Sequence, residues 1–247
     1  MVRRFGRAGA SGENIMGQEF SIPAGDGENF MGYLALPEGG TGPGVVVVQE
    51  IFGVNQVMRE ITDSFAAQGF VALCPDLFWR IEPGIQLTDQ TEAEWARAFE
   101  LFQTFDVDTG MQDVQATITA LRGVDGCNGK VGLTGFCLGG LISYLSATRT
   151  DVDAAAGYYG VSIETKLDEA RNIKNPLILH IATEDGFVNK EAQAAIHAGL
   201  DGNDLVTIHD YEGNDHAFAR MGGEHYDEAA ANLAHGRTVD LFRSALA

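Results

Sequence analysis

Val131-Gly132-Leu133-Thr134-Gly135-Phe136-Cys137-Leu138-Gly139-Gly140 is the stretch whose reading decides the fold. Val131–Thr134 has the short, β-branched, apolar character of a buried strand, and Leu138–Ala147 has that of an apolar helix. The Gly-x-Cys-x-Gly joining them is a nucleophile elbow with cysteine in place of serine. So sharp a strand-to-helix turn requires glycine two residues either side of position 137, where a Cβ would strike neighbouring backbone. It lifts the Cys137 side chain above the sheet and sets its sulfur at a helix N-terminus, which favours the thiolate. Taken alone, the same residues also fit a buried structural cysteine in a glycine-rich turn.

Working outward, short apolar runs alternate with longer amphipathic segments. Val45–Val48 is a continuous β-branched run suited to a strand buried on both faces. Phe70–Cys74, Ala154–Tyr159, Leu177–Ile181 and Leu205–Tyr211 read as further strands. Helices are expected over Asn55–Ala67, Glu92–Phe105, Thr109–Leu121, Leu138–Ala147, Lys190–His197 and Glu228–Leu246. At the N-terminal side, Glu19–Ile22 and Phe30–Leu36 flank Ala24-Gly25-Asp26-Gly27-Glu28, which has the chemistry of a hairpin turn. The pattern is α/β: a mostly parallel central sheet flanked by helices, with an antiparallel N-terminal edge hairpin. One domain over residues 17–247 and a flexible leader over residues 1–16 are expected.

The 247 residues carry 16 Lys+Arg against 35 Asp+Glu, a formal charge of −19, and this shortage of cations argues against nucleic acid as a partner. No apolar h-region follows Arg3, Arg4 and Arg7, and no window approaches the length of a membrane span, so a cytoplasmic protein without membrane attachment is expected. Cys74, Cys127 and Cys137 form no CxxC pair, and an odd total suits a reducing compartment better than a disulfide framework. There is no HExxH, GxxxxGK[ST] or strand-linked GxGxxG, so no metal or other cofactor is expected. No obligate protein partner is inferred.

An elbow needs a base and an orienting acid, in the chain order nucleophile, acid, histidine. Asp185 follows the Leu177–Ile181 strand beside Gly186 and is the expected acid, with Glu184 its local rival. His216, in the polar loop after the last strand, is the expected base. His197 and His209 read as structural, His225 and His235 as lying on a solvated face, and His180 precedes the acid. Gln49-Glu50-Ile51-Phe52-Gly53 reaches the same sheet edge after Val48. The Ile51 and Leu138 amides are the expected oxyanion donors, and Glu50 places a carboxylate close to Cys137, able to raise its pKa or take its proton. Arg80 and Arg220 are the cations that these loops supply.

With these motifs in place the chain resembles the dienelactone hydrolase, or carboxymethylenebutenolidase, family. The likeness rests on Gln-Glu-Ile-Phe-Gly-Val-Asn at 49–55, Cys-Pro-Asp-Leu at 74–77, Gly-Lys-Val-Gly-Leu-Thr-Gly-Phe-Cys-Leu-Gly-Gly at 129–140, Gly-Tyr-Tyr-Gly-Val at 157–161, Asp-Gly-Phe-Val at 185–188 and His-Ala-Phe-Ala-Arg at 216–220. The resemblance implies an α/β-hydrolase fold with Cys137 as nucleophile, His216 as base and acid, Asp185 as orienter, and Glu50 as the carboxylate that controls the thiol. It also implies that Arg80 and Arg220 clamp the carboxylate of a small anionic lactone, opened to a dicarboxylate such as maleylacetate. The chain departs from the family at Ala217, where serine is expected; loss of that hydroxyl bears on specificity more than on chemistry. A hydrolase of another ester, lactone or thioester, and a non-enzymatic binding protein or thiol sensor, are the competing readings.

Overall fold

In the computed structural model, which describes residues 17–247, eight strands form one sheet in the order β1-β2-β4-β3-β5-β6-β7-β8. These are β1 Gln18–Pro23, β2 Asn29–Ala35, β3 Gly42–Val48, β4 Val71–Pro75, β5 Cys127–Phe136, β6 Ala154–Tyr158, β7 Leu177–Ala182 and β8 Val206–Tyr211. The β1–β2 hairpin lies at one edge, and β2 joins β4 antiparallel. From β4 across to β8 every pairing is parallel. This is the mostly parallel α/β sheet with an antiparallel edge hairpin that the alternation of runs implied, in the α/β-hydrolase arrangement that the resemblance implied.

Alternate residues of the central strands feed two separate cores. Val46 and Val48 pack with Leu133, Leu179 and Ile181 on one face, while Val45 and Val47 pack with Ile178 and Ala182 on the other. Side chains alternate along a strand, so a run of four valines has no polar face to offer and must be covered on both sides. The first face is covered by α2 Glu92–Thr104, α3 Val107–Arg122, α4 Leu138–Arg149 and α5 Lys190–Leu200, and the second by α1 Gln56–Ala66 and α6 Glu228–Ala245. Among the described residues no helix is long and apolar enough to cross a membrane.

Side-chain caps fix where the helices begin. Asn55, Thr91, Asp106, Asn189 and Asp227 each accept a hydrogen bond from the amide three residues on, at the starts of α1, α2, α3, α5 and α6. Asp106 starts α3 two residues earlier than the apolar spacing suggested, and α5 runs on to Leu200. A 3₁₀ helix over Ile163–Asn172 was not anticipated. Its sequence is largely polar, with Ile163 buried and Leu167 and Ala170 partly buried against the core. The leader expected over residues 1–16 lies outside the described residues.

Candidate active site

The turn after β5 is held by backbone crowding. A Cβ on Gly135 would lie 2.2 Å from the Gly139 carbonyl oxygen, and one on Gly139 would lie 2.5 Å from that of Val48. Between them Cys137 takes φ 57° and ψ −111°, a conformation rarely adopted by a residue with a side chain. Its half-buried side chain therefore projects from the carboxyl edge of the sheet at the head of α4. Leu138 is the first residue of that helix, so its amide has no acceptor within it.

The loops after β7 and β8 bring the next two groups together. Asp185 is buried, and its Oδ1 accepts the amides of Phe187 at 2.8 Å and Val188 at 3.1 Å. Its Oδ2 lies 2.8 Å from Nδ1 of His216, which fixes the ring and leaves Nε2 as the nitrogen available to Cys137. Tyr159 and Phe187 meet that ring edge-to-face, at centroid distances of 5.0 and 4.8 Å. Burial pulls the imidazolium pKa down, but the field of the Cys137 sulfur and hydrogen bonds to Asp185 and Cys137 outweigh it and carry His216 up to about 10. Cys137, Asp185 and His216 thus form one connected group. Glu184 stands outside it, exposed and paired with Lys190 at 3.0 Å.

After β3, Gln49 turns inward, where its Oε1 accepts the Leu77 amide at 3.1 Å. Glu50 is buried and accepts from Arg220 Nη1 at 3.1 Å, while Arg220 Nη2 lies 3.1 Å from Asp89 Oδ2. Burial opposes the Arg220 charge, yet Glu50, Tyr159 and Asp89 together raise its pKa. Glu50 Oε1, Arg220 Nε and the Tyr159 hydroxyl are buried with no protein hydrogen-bond partner among the described residues. Burial holds the Tyr159 phenol far above its ordinary range, and the nearby Glu50 charge adds to this.

Cys137, Ile51, His216 and Arg220 open onto a narrow slot walled by Phe52, Trp95, Phe99, Phe102, Val161 and Phe187. It shares Trp95, Phe187, His216 and Arg220 with a polar mouth of about 480 Å³ that adds Asp89, Asp215, Glu224 and His225. The aromatic walls and Asp89 were not foreseen. Trp95, Phe99 and Phe102 recur at helical spacing, which by itself marks only a covered helix face.

Arg80 is not brought to this group. It forms a bidentate pair with buried Asp113 of α3, at 2.9 and 2.8 Å, reaches Asp26 at 2.6 Å, and lies over the Trp79 ring. Neither space beside Cys137 includes it among its walls. Of the two arginines expected to form a clamp, Arg220 alone lines these spaces, because a buried carboxylate on a neighbouring helix holds Arg80. His235 also departs from expectation: it is buried against Phe65 rather than solvated. His225 is exposed and lies 3.5 Å from Asp215, and His197 pairs with Asp201 and Asp210. Ala217 is buried and has φ 66°.

The dienelactone hydrolase family profile matches residues 30–246, nearly the whole described chain. The chain belongs to the dienelactone hydrolase family. A relative from Azospirillum brasilense is 47% identical over 230 residues, covering 92% of this chain and 99% of its own. The carboxymethylenebutenolidase of Pseudomonas putida is 39% identical over 227 residues, covering 92% and 96%. A crystal structure from Klebsiella pneumoniae superposes with a TM-score of 0.81 at 26% identity, covering 92% and 98%. Dienelactone hydrolase from Anabaena variabilis, at 17% identity and TM-score 0.67 over 94% and 100%, shares the fold. Membership in this family makes the chain a hydrolase acting on an ester bond of the lactone type.

Proposed function

We propose that the protein hydrolyses an enol lactone of the carboxymethylenebutenolide kind by cysteine nucleophilic catalysis, with Cys137, His216 and Asp185 as a triad. The observation that carries this reading is the His216 ring, oriented by Asp185 at 2.8 Å, beside a cysteine on a strained elbow. His216, with its pKa raised to about 10, is charged at neutral pH once it holds the proton that the Cys137 sulfur gives up to attack. The Cys137 sulfur adds to the lactone carbonyl, and the oxyanion is received by the Ile51 and Leu138 amides. Collapse breaks the ring C–O bond, and the enolate oxygen takes a proton from His216 while the acyl group stays on sulfur. Neutral His216 then draws a proton from water as the hydroxide adds to the thioester. The thiolate leaves, and the product is a carboxylate bearing an enol that tautomerises to a ketone, a dicarboxylate such as maleylacetate when the substrate already carries a carboxyl group. An enolate is a better leaving group than an alkoxide, which suits an attacking thiolate.

In this reading Glu50 governs the charge next to the sulfur, and Arg220 meets the substrate carboxylate. A free nucleophilic thiol fits a reducing compartment such as the cytoplasm. Cys137→Ala should lower kcat/KM on cis- and trans-dienelactone by at least about a thousandfold. Activity near that of the unaltered protein would overturn the assignment.

A further inference from the structure

Arg220 is the one arginine or lysine among the residues lining the slot beside Cys137, and both of its terminal nitrogens are already engaged. Nη1 is held by Glu50 and Nη2 by Asp89, whose side chains are only 5% and 14% exposed, so solvent screens neither pair well. Phe52 covers the guanidinium, with its carbon 5.2 Å from the ring centroid. Asp89 is itself fixed in place. Its Oδ1 accepts from Gln90 at 2.6 Å, and its backbone carbonyl accepts the indole N–H of Trp95 at 2.9 Å. Two residues earlier the chain is tied to the loop that bears Glu50, through the Leu87 amide on the Phe52 carbonyl at 2.9 Å.

A substrate carboxylate approaching Cys137 through the mouth meets Asp89, Asp215 and Glu224 there, and Arg220 is the cation facing both spaces that it could pair with, since the His216 ring is already held by Asp185 and Cys137. His225, a further basic side chain of the mouth, lies beside Asp215. The slot beyond is aromatic and apolar, which favours flat uncharged groups.

We propose that Asp89 is a specificity-determining residue: it competes with the substrate carboxylate for Nη2 of Arg220, weakening binding of anionic substrates relative to neutral planar ones of the same shape. This rests on the reading of Cys137 as the nucleophile of a lactone hydrolase, and it adds a residue that sets which lactones and esters enter. Asp89→Asn keeps the size and the backbone bond to Trp95 while removing the competing charge. It should raise the ratio of kcat/KM for dienelactone to that for p-nitrophenyl acetate about tenfold, with the change in KM rather than kcat. By calorimetry, benzoate should bind the Asp89→Asn protein about tenfold tighter than the unaltered one, with a smaller change for the neutral isostere benzamide. An unaltered ratio together with unaltered benzoate affinity would overturn the proposal, as would equal effects on charged and neutral members of each pair. The benzoate comparison needs no turnover, so it decides the role of Asp89 even where Cys137→Ala retains activity and the nucleophile assignment falls.

Discussion

Gly135 and Cys137 illustrate how a single residue can be dictated by chemistry two positions away. The sulfur stands clear of the sheet only because the backbone at 137 adopts a positive φ, and that conformation survives only while Gly135 and Gly139 leave room for each other. The three atoms nearest a new Cβ at 135 all belong to the Gly139 backbone, which cannot step aside as a flexible side chain would. Gly135→Ala should therefore cost roughly 2–4 kcal/mol in urea unfolding and reduce activity by misplacing Cys137. A midpoint matching that of the unaltered protein would show that the elbow has more slack than these distances indicate. Cys74 behaves in the opposite way: it is fully buried in β4, burial pushes its thiol up, and it is inert. Burial separates two cysteines that look alike as letters.

Between elements, the fate of Arg80 is set by α3. Asp113 lies on the covered face of that helix, where an unpaired carboxylate would be costly, and Arg80 and the Trp79 indole both donate to it. The pair joins the segment after β4 to α3. Arg80→Met should lower the unfolding free energy by about 2–4 kcal/mol, as expected for a broken, largely buried pair. It should raise KM for a carboxylate-bearing lactone less than Arg220→Met does. Steady-state kinetics of the two variants side by side test this, and a larger effect at Arg80 would place it in the substrate's path. α2 acts in a different way, its Trp95, Phe99 and Phe102 forming a wall of the slot rather than a purely structural face.

For the whole molecule the charge of −19 is a property of the surface, while part of the response to acid is set by histidines in the core. Burial lowers His235 to about 3 and holds His180 well below its ordinary value, so both are neutral in the native protein at pH 7. Unfolding exposes them to water, where they take up protons below about pH 6.5. Their neutral burial is therefore accommodated fully above pH 6.5, and stability falls as pH drops from there toward 3. His235 alone should account for about 3 kcal/mol of the loss by pH 4. Urea titrations at pH 7 and pH 4 should show a smaller loss for His235→Gln than for the unaltered protein, and equal losses would remove His235 as a source of acid sensitivity.

The strand and helix order, the elbow, and the placing of Asp185 and His216 after successive strands were legible in the residues, because alternating burial and tight turns leave local signatures. Helix ends were less so: the Asp106 side-chain cap starts α3 ahead of its apolar spacing, and α5 runs three residues past its expected end. Local pattern could not give the partner of each arginine. Arg80 and Arg220 both follow strands and look equivalent as sequence, yet one is claimed by Asp113, 33 positions away, and the other by Glu50, 170 positions away, together with Asp89. Sequence determines which chemical groups reach the sheet edge, since period and turn act over a few residues. Tertiary structure alone decides which of those charges are already neutralised, because ion pairing depends on distances across elements that no local spacing encodes.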